Sequence, residues 1–139
     1  MPREPEINAV LVCDDIREEI THKLTLIGVY SGDLVVPEFP SNFPLAFYVA
    51  MTANEPGEFA LDLRISPPEA PDLRTIHVEF GVTAGADTPT IGKAFAIFTP
   101  KIPIVVPAPG ELVLSARWGK REKFRPVLRK KVILAPPAT

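Results

Sequence analysis

The sequence predicts an all-β fold, an antiparallel β-sandwich of about eight strands of Ig-like or Greek-key type, in a single domain. Three observations carry that expectation. Apolar and polar residues alternate with period two in several segments, as in strands with one face on a core and one in water. Turn-forming clusters recur roughly every ten residues, the rhythm of a sandwich or barrel. No long segment shows a 3.6-residue period, and seventeen prolines are scattered along the chain. A sandwich is preferred to a barrel because nothing in the pattern fixes closure.

Taken in order, INAVLV (7–12) is apolar on both faces, as are LTLIGVY (24–30) and LAFYVAM (45–51). Strands covered on both sides read this way. Between the first two lies CDDIREEITH, expected to form a polar crossover of about nine residues, with one helical turn at DDIREE capped by an Asp. Gly28 inside the second strand signals a bulge or a close backbone approach. YSGD (30–33) then turns the chain towards LVVPEFP.

Half-buried strands follow. In GEFALDLRIS (57–66), Phe59, Leu61, Leu63 and Ile65 share one face, with Asp62 and Arg64 on the other. In TIHVEFGVT (75–83), Ile76, Val78, Phe80 and Val82 alternate with His77, Glu79 and Gly81; in ELVLSARWG (111–119), Leu112, Leu114, Ala116 and Trp118 form the apolar face. KIPIVVPAPG (101–110) belongs at an edge or in a connection. EKFRPVLRKKVIL (122–134) places Pro126, which has no N–H for a ladder, at an edge or a bulge. Turns are expected at 37–44, 54–57, 66–72, 84–92 and 118–122.

With 139 residues, 46% of them apolar, and a mean hydropathy of +0.15, the chain can bury one substantial core. Residues 1–5 and 135–139 are expected to be loose ends. The start, MPREPEINAV, lacks the basic and apolar regions of a secretory signal, and no apolar run approaches a membrane span, so the expected location is the cytoplasm, with no membrane partner. Net charge is −2, unevenly placed. From Glu111 onward eight bases face two acids, a net +6, which leaves −8 for residues 1–110.

No catalytic constellation is present, so no enzyme activity is expected. Cys13, the single cysteine, is followed by Asp14 and Asp15, whose negative charge disfavours a thiolate. It reads as a small buried hydrophobe. The carboxylates Asp14, Asp15, Glu18 and Glu19, with His22, form an acidic interaction loop (14–22) that lacks the spacing and glycine of a calcium loop. No metal or cofactor is expected. GADTPTIGK resembles a phosphate-binding loop only in passing, since six residues separate Gly85 from Gly92 and Ala94 follows Lys93. His77, on the polar face of its strand, is assigned no role. The basic hairpin 117–131 is the other candidate, an anion- or partner-binding surface of Lys120, Arg121, Lys123, Arg125, Arg129, Lys130 and Lys131. Its bases interleave with Trp118 and Phe124, as in grooves that hold phosphates and stack bases.

The N-terminal half carries one further pattern. VLVCD is followed by a polar loop, then HKLTLIGVY, the aromatic–proline pair in EFP (38–40), and GEFALDLRISPPE. Residues 6–70 resemble a bacterial family of small uncharacterised cytoplasmic proteins, the domain of unknown function 6941 family. The resemblance implies an all-β sandwich and brings no activity, cofactor or site residue. The basic C-terminal hairpin and the proline-rich turn after SPPE lie outside that pattern.

The expected function is a non-enzymatic protein-interaction module that binds itself, as a homo-oligomer, or another protein by a sheet face or edge. Its sharper form pairs the acidic loop of one copy with the basic hairpin of another, in a salt-sensitive dimer. The alternatives are nucleic-acid or polyanion binding at 117–131, and metal or small-molecule binding at 14–22.

Overall fold

In the computed structural model, which describes residues 3–69, 74–83 and 94–136, the chain forms ten strands. They are β1 (Glu6–Glu18), β2 (Leu24–Val29), β3 (Leu34–Val36), β4 (Ser41–Thr52), β5 (Gly57–Ser66), β6 (Arg74–Val82), β7 (Ala94–Phe98), β8 (Ile102–Val106), β9 (Gly110–Trp118) and β10 (Arg125–Leu134). One sheet, here sheet A, runs β2-β1-β4-β7, with β8 also on β4; sheet B runs β3-β10-β9-β5-β6. The two pack face to face as a β-sandwich.

Alternation builds the core. Leu45, Phe47, Val49 and Met51 of β4 face Leu61, Leu63 and Ile65 of β5 and Leu112 and Leu114 of β9, all fully buried. Each such side chain contributes about 1.5–3 kcal/mol by leaving water. At one end, Phe59, Phe80, Phe95 and Trp118 form an edge-on aromatic cluster with centroids 5.6–6.1 Å apart. β7 and β8 continue one another along β4 with their registers offset by one residue. The buried Thr99 fills the step: its N–H donates to Phe47 O and its hydroxyl accepts from Phe47 N.

Several expectations need correction. The crossover at 14–22 is mostly strand, because β1 continues to Glu18 in register with β2 and only residues 19–23 turn. Asp14, Asp15 and Glu18 therefore do not lie in a loop, and DDIREE has no helical turn. Pairing with β2 satisfies the backbone there, which local capping could not outweigh. β3 and β7 are strands beyond those expected, and β3 pairs β10 in parallel, an exception to the antiparallel pattern. Pro126 sits at a bulge against β9, as expected, on the part of β10 that β3 does not reach, since β3 pairs only Val132 to Leu134. β8 does occupy an edge. Of the ends expected to be loose, Arg3 N donates to Glu55, Pro5 is buried, and Ala135 N donates to Val36 O. The turn expected at 84–92 and the GADTPTIGK stretch fall outside the described residues. No helix among the described residues is long and apolar enough to cross a membrane.

Candidate functional site

The outward side of sheet B carries a charged network centred on Asp62. Alternation puts Asp62 and Arg64 on the side of β5 opposite its core residues. Register then sets His77 of β6 and Arg117 of β9 directly across from Asp62 on either side. His77 Nδ1–H donates to Asp62 Oδ1 at 2.6 Å, and Arg117 Nε–H donates to Oδ2 at 2.9 Å. His77 Nε2–H donates to Glu79 at 3.1 Å. Asp62 is only 5% exposed, and a carboxylate taken out of water needs such partners. The His77 hydrogen bond, with Arg117 beside it, holds the Asp62 carboxyl below its ordinary range despite burial. The same bond, then Glu79, raises His77. Both imidazole nitrogens donate to carboxylates, which favours the doubly protonated ring and leaves neither nitrogen free to act as a base.

Phe124, from the turn between β9 and β10, folds over this face. Its ring lies 4.1 Å from the Arg64 guanidinium carbon and 4.3 Å from that of Arg117. Arg64 Nε is buried with no hydrogen-bond acceptor. An orphaned buried donor costs about 1–3 kcal/mol, more when charged.

The acidic residues expected to act together are dispersed. Asp14 accepts a 2.6 Å bond from the Tyr30 hydroxyl, while Asp15 accepts from Ile16 N and contacts Arg17. Glu18 contacts His22, and Glu19 accepts from Thr25. Among the described residues no three His, Cys, Asp or Glu gather as a metal site. Cys13 is fully buried beneath the hairpin, with Ile16, Leu24, Leu26, Ala46 and Tyr48. Burial, aided by the Asp14 and Asp15 carboxylates, pushes its thiol up. His22 sits in the exposed turn, away from it.

The basic hairpin exists, but its members differ. Arg117 belongs to the Asp62 network and Arg129 pairs with Glu111 at 2.7 Å. Lys120, Arg121, Lys123, Arg125 and Lys131 are exposed and Lys130 is half-buried, with no ion pair among the described residues. Neither ring is free to stack a base: Trp118 packs in the aromatic cluster and Phe124 lies against two guanidinium groups.

The outward side of sheet A is apolar. Leu11, Tyr48 and Phe98 form one row across β1, β4 and β7, and Ala9, Ala50 and Ala96 form the next. Leu11 is 38%, Phe98 37% and Val29 43% exposed. The β1–β2 hairpin covers Cys13 and Ala46 at one end of this face and reaches Tyr48, while Leu11 and Phe98 stay exposed among the described residues.

Sequence reasoning missed His77 and Arg64 as members of a network. Asp62 amid alternating apolar residues was the signal, but its neighbours depend on strand register. No protein-family model and no curated protein matches the chain. Among solved structures, one match is a β-glucosidase, EmGH1, from Erythrobacter marinus, at 10% sequence identity and a TM-score of 0.43. It covers 93% of this chain and 15% of the glucosidase chain, so this chain spans a small part of that protein's length. At that TM-score the likeness carries neither fold relationship nor activity to this chain.

Proposed function

We propose that the chain is a non-catalytic interaction module that self-associates through the apolar outward face of sheet A. One observation carries this. The three segments that are apolar on both sides are β1, β2 and β4 and their immediate extensions, adjacent in one sheet, and among the described residues the sandwich core takes one face of β1 and β4 and leaves Leu11 exposed on the other. Sheet B, by contrast, turns charged residues outward. The two outward rows of sheet A carry no charge, and at the rim Asp15 contacts Arg17.

The acidic and basic segments lie at opposite ends of the sandwich. The β1–β2 turn extends beyond the Ser41 end of β4, whereas the β9–β10 turn follows Trp118, which packs with Phe95 and Ala53 at the Thr52 end. Pairing them in a closed dimer requires two copies lying side by side and antiparallel, and each exposed ion pair so formed contributes little. Residues 6–70, with their resemblance to the 6941 family, fit this reading, since that family brings a β framework and no activity. We place the module in the cytoplasm, where a lone thiol needs no disulfide partner.

Sedimentation equilibrium at low salt and in about 1 M salt tests the reading, since apolar contacts survive the screening that dissolves exposed ion pairs. A dimer at both salts supports the sheet face. A dimer lost in high salt supports the charged segments instead.

A further inference from the structure

We propose that Arg64, together with Arg117 and the turn that carries Phe124, forms a binding site for a phosphate group. Arg64 stands on an interior strand of sheet B without a counter-charge among the described residues. The adjacent acid is turned to other partners, with one Asp62 oxygen on His77 and the other on Arg117. Arg64 Nε is left without an acceptor, while the ring of Phe124 draws two guanidinium groups to within 4.1 and 4.3 Å of one centroid. Two like charges converging on one ring, only one of them neutralised, form an arrangement that an oxyanion completes. The same turn adds Lys120, Arg121 and Lys123, exposed and unpaired among the described residues.

The chemistry favours phosphate on two counts. The planar guanidinium fork matches phosphate oxygens in paired hydrogen bonds, and Arg64 and the unpaired bases of the adjoining turn supply more than one positive charge, which suits a doubly charged group. Single-stranded nucleic acid fits less well, since such binding uses free aromatic faces and both local rings are engaged. The site lies on sheet B and is independent of self-association through sheet A.

Isothermal titration of the full chain at low ionic strength, with inorganic phosphate and with O-phosphoserine, tests the proposal. Saturable single-site binding is expected, weakened about tenfold or more in Arg64→Gln, as for loss of a charge-assisted pair. Lys120→Gln combined with Arg121→Gln is expected to weaken it by less than about threefold, as for exposed charges. Circular dichroism and a cooperative melt check that Arg64→Gln folds. If it does not, Phe124→Leu, which removes the ring orienting both guanidinium groups, is expected to weaken binding. Tighter binding of phosphoserine marks a phosphomonoester as the ligand, and equal binding marks free phosphate; both support the site. It is overturned by an absence of saturable binding at millimolar phosphate, or by unchanged affinity in a folded Arg64→Gln or Phe124→Leu. Citrate binding as tightly as phosphate would also overturn it, as would an oligonucleotide binding where phosphate does not.

Discussion

His77 Nδ1 and Asp62 Oδ1 lie 2.6 Å apart across the β5–β6 pair, joining an exposed ring to a buried carboxylate. The bond ties stability to pH from both sides. His77 is raised from 6.5 in the folded chain, so its contribution is full below that value and is lost as pH climbs through the raised one. Asp62 is lowered from 3.8, so its contribution is present above that value and is lost as pH falls through the lowered one. Thermal melts across the neutral range should show wild type losing stability as pH rises past the ordinary histidine value. His77→Gln should lack that decline. Parallel curves for the two proteins would show that the bond carries no such linkage.

Gly28, Asp14 and Tyr30 form a second coupled group. Gly28 adopts φ +67°, and a Cβ there would collide with the Asp14 carboxylate that holds the Tyr30 hydroxyl. Burial first, and then this bond, pushes the Tyr30 phenol up to about 12. Gly28→Ala is expected to cost about 1–2 kcal/mol for the left-handed backbone, plus the displaced Asp14 bond. Tyr30→Phe should therefore cost less in the Gly28→Ala background than in wild type. Urea unfolding of the four proteins measures the difference, and strict additivity would contradict the coupling.

Cys13 lies 3.4 Å from Asp15 O and 3.6 Å from Ala46 O, enclosed by the hairpin. Since thiolate and exposure both govern thiol reactivity, native protein should react with an aromatic disulfide reagent far more slowly than urea-unfolded protein. Equal rates would mean that the hairpin does not close over the sheet.

How much of this was legible depended on whether the signal was local. Leu61, Leu63 and Ile65 announce the core face of β5 by alternation alone, and Gly28 announces a close approach, which Asp14 makes. The extension of β1 through Asp14, Asp15 and Glu18 was hidden, because polar residues on an overhanging hairpin read like loop. β3 was too short to declare itself and draws its place from pairing with β10. The Asp62 network was hidden for another reason. His77 lies 15 positions from Asp62 and Arg117 lies 55, and only register brings them together. The double-sided apolar character of β1, β2 and β4 was plain in the sequence, but its meaning awaited the sheet order that turned one face outward.

Native mass spectrometry of wild type against Leu11→Asp combined with Phe98→Asp tests whether the outward face of sheet A joins two copies. Both positions are partly solvated on the outward row, so the double variant should keep its fold, checked by circular dichroism. The account predicts a wild-type dimer and a folded, monomeric variant. A wild-type monomer throughout the micromolar range, or a variant that dimerises as wild type does, would contradict it.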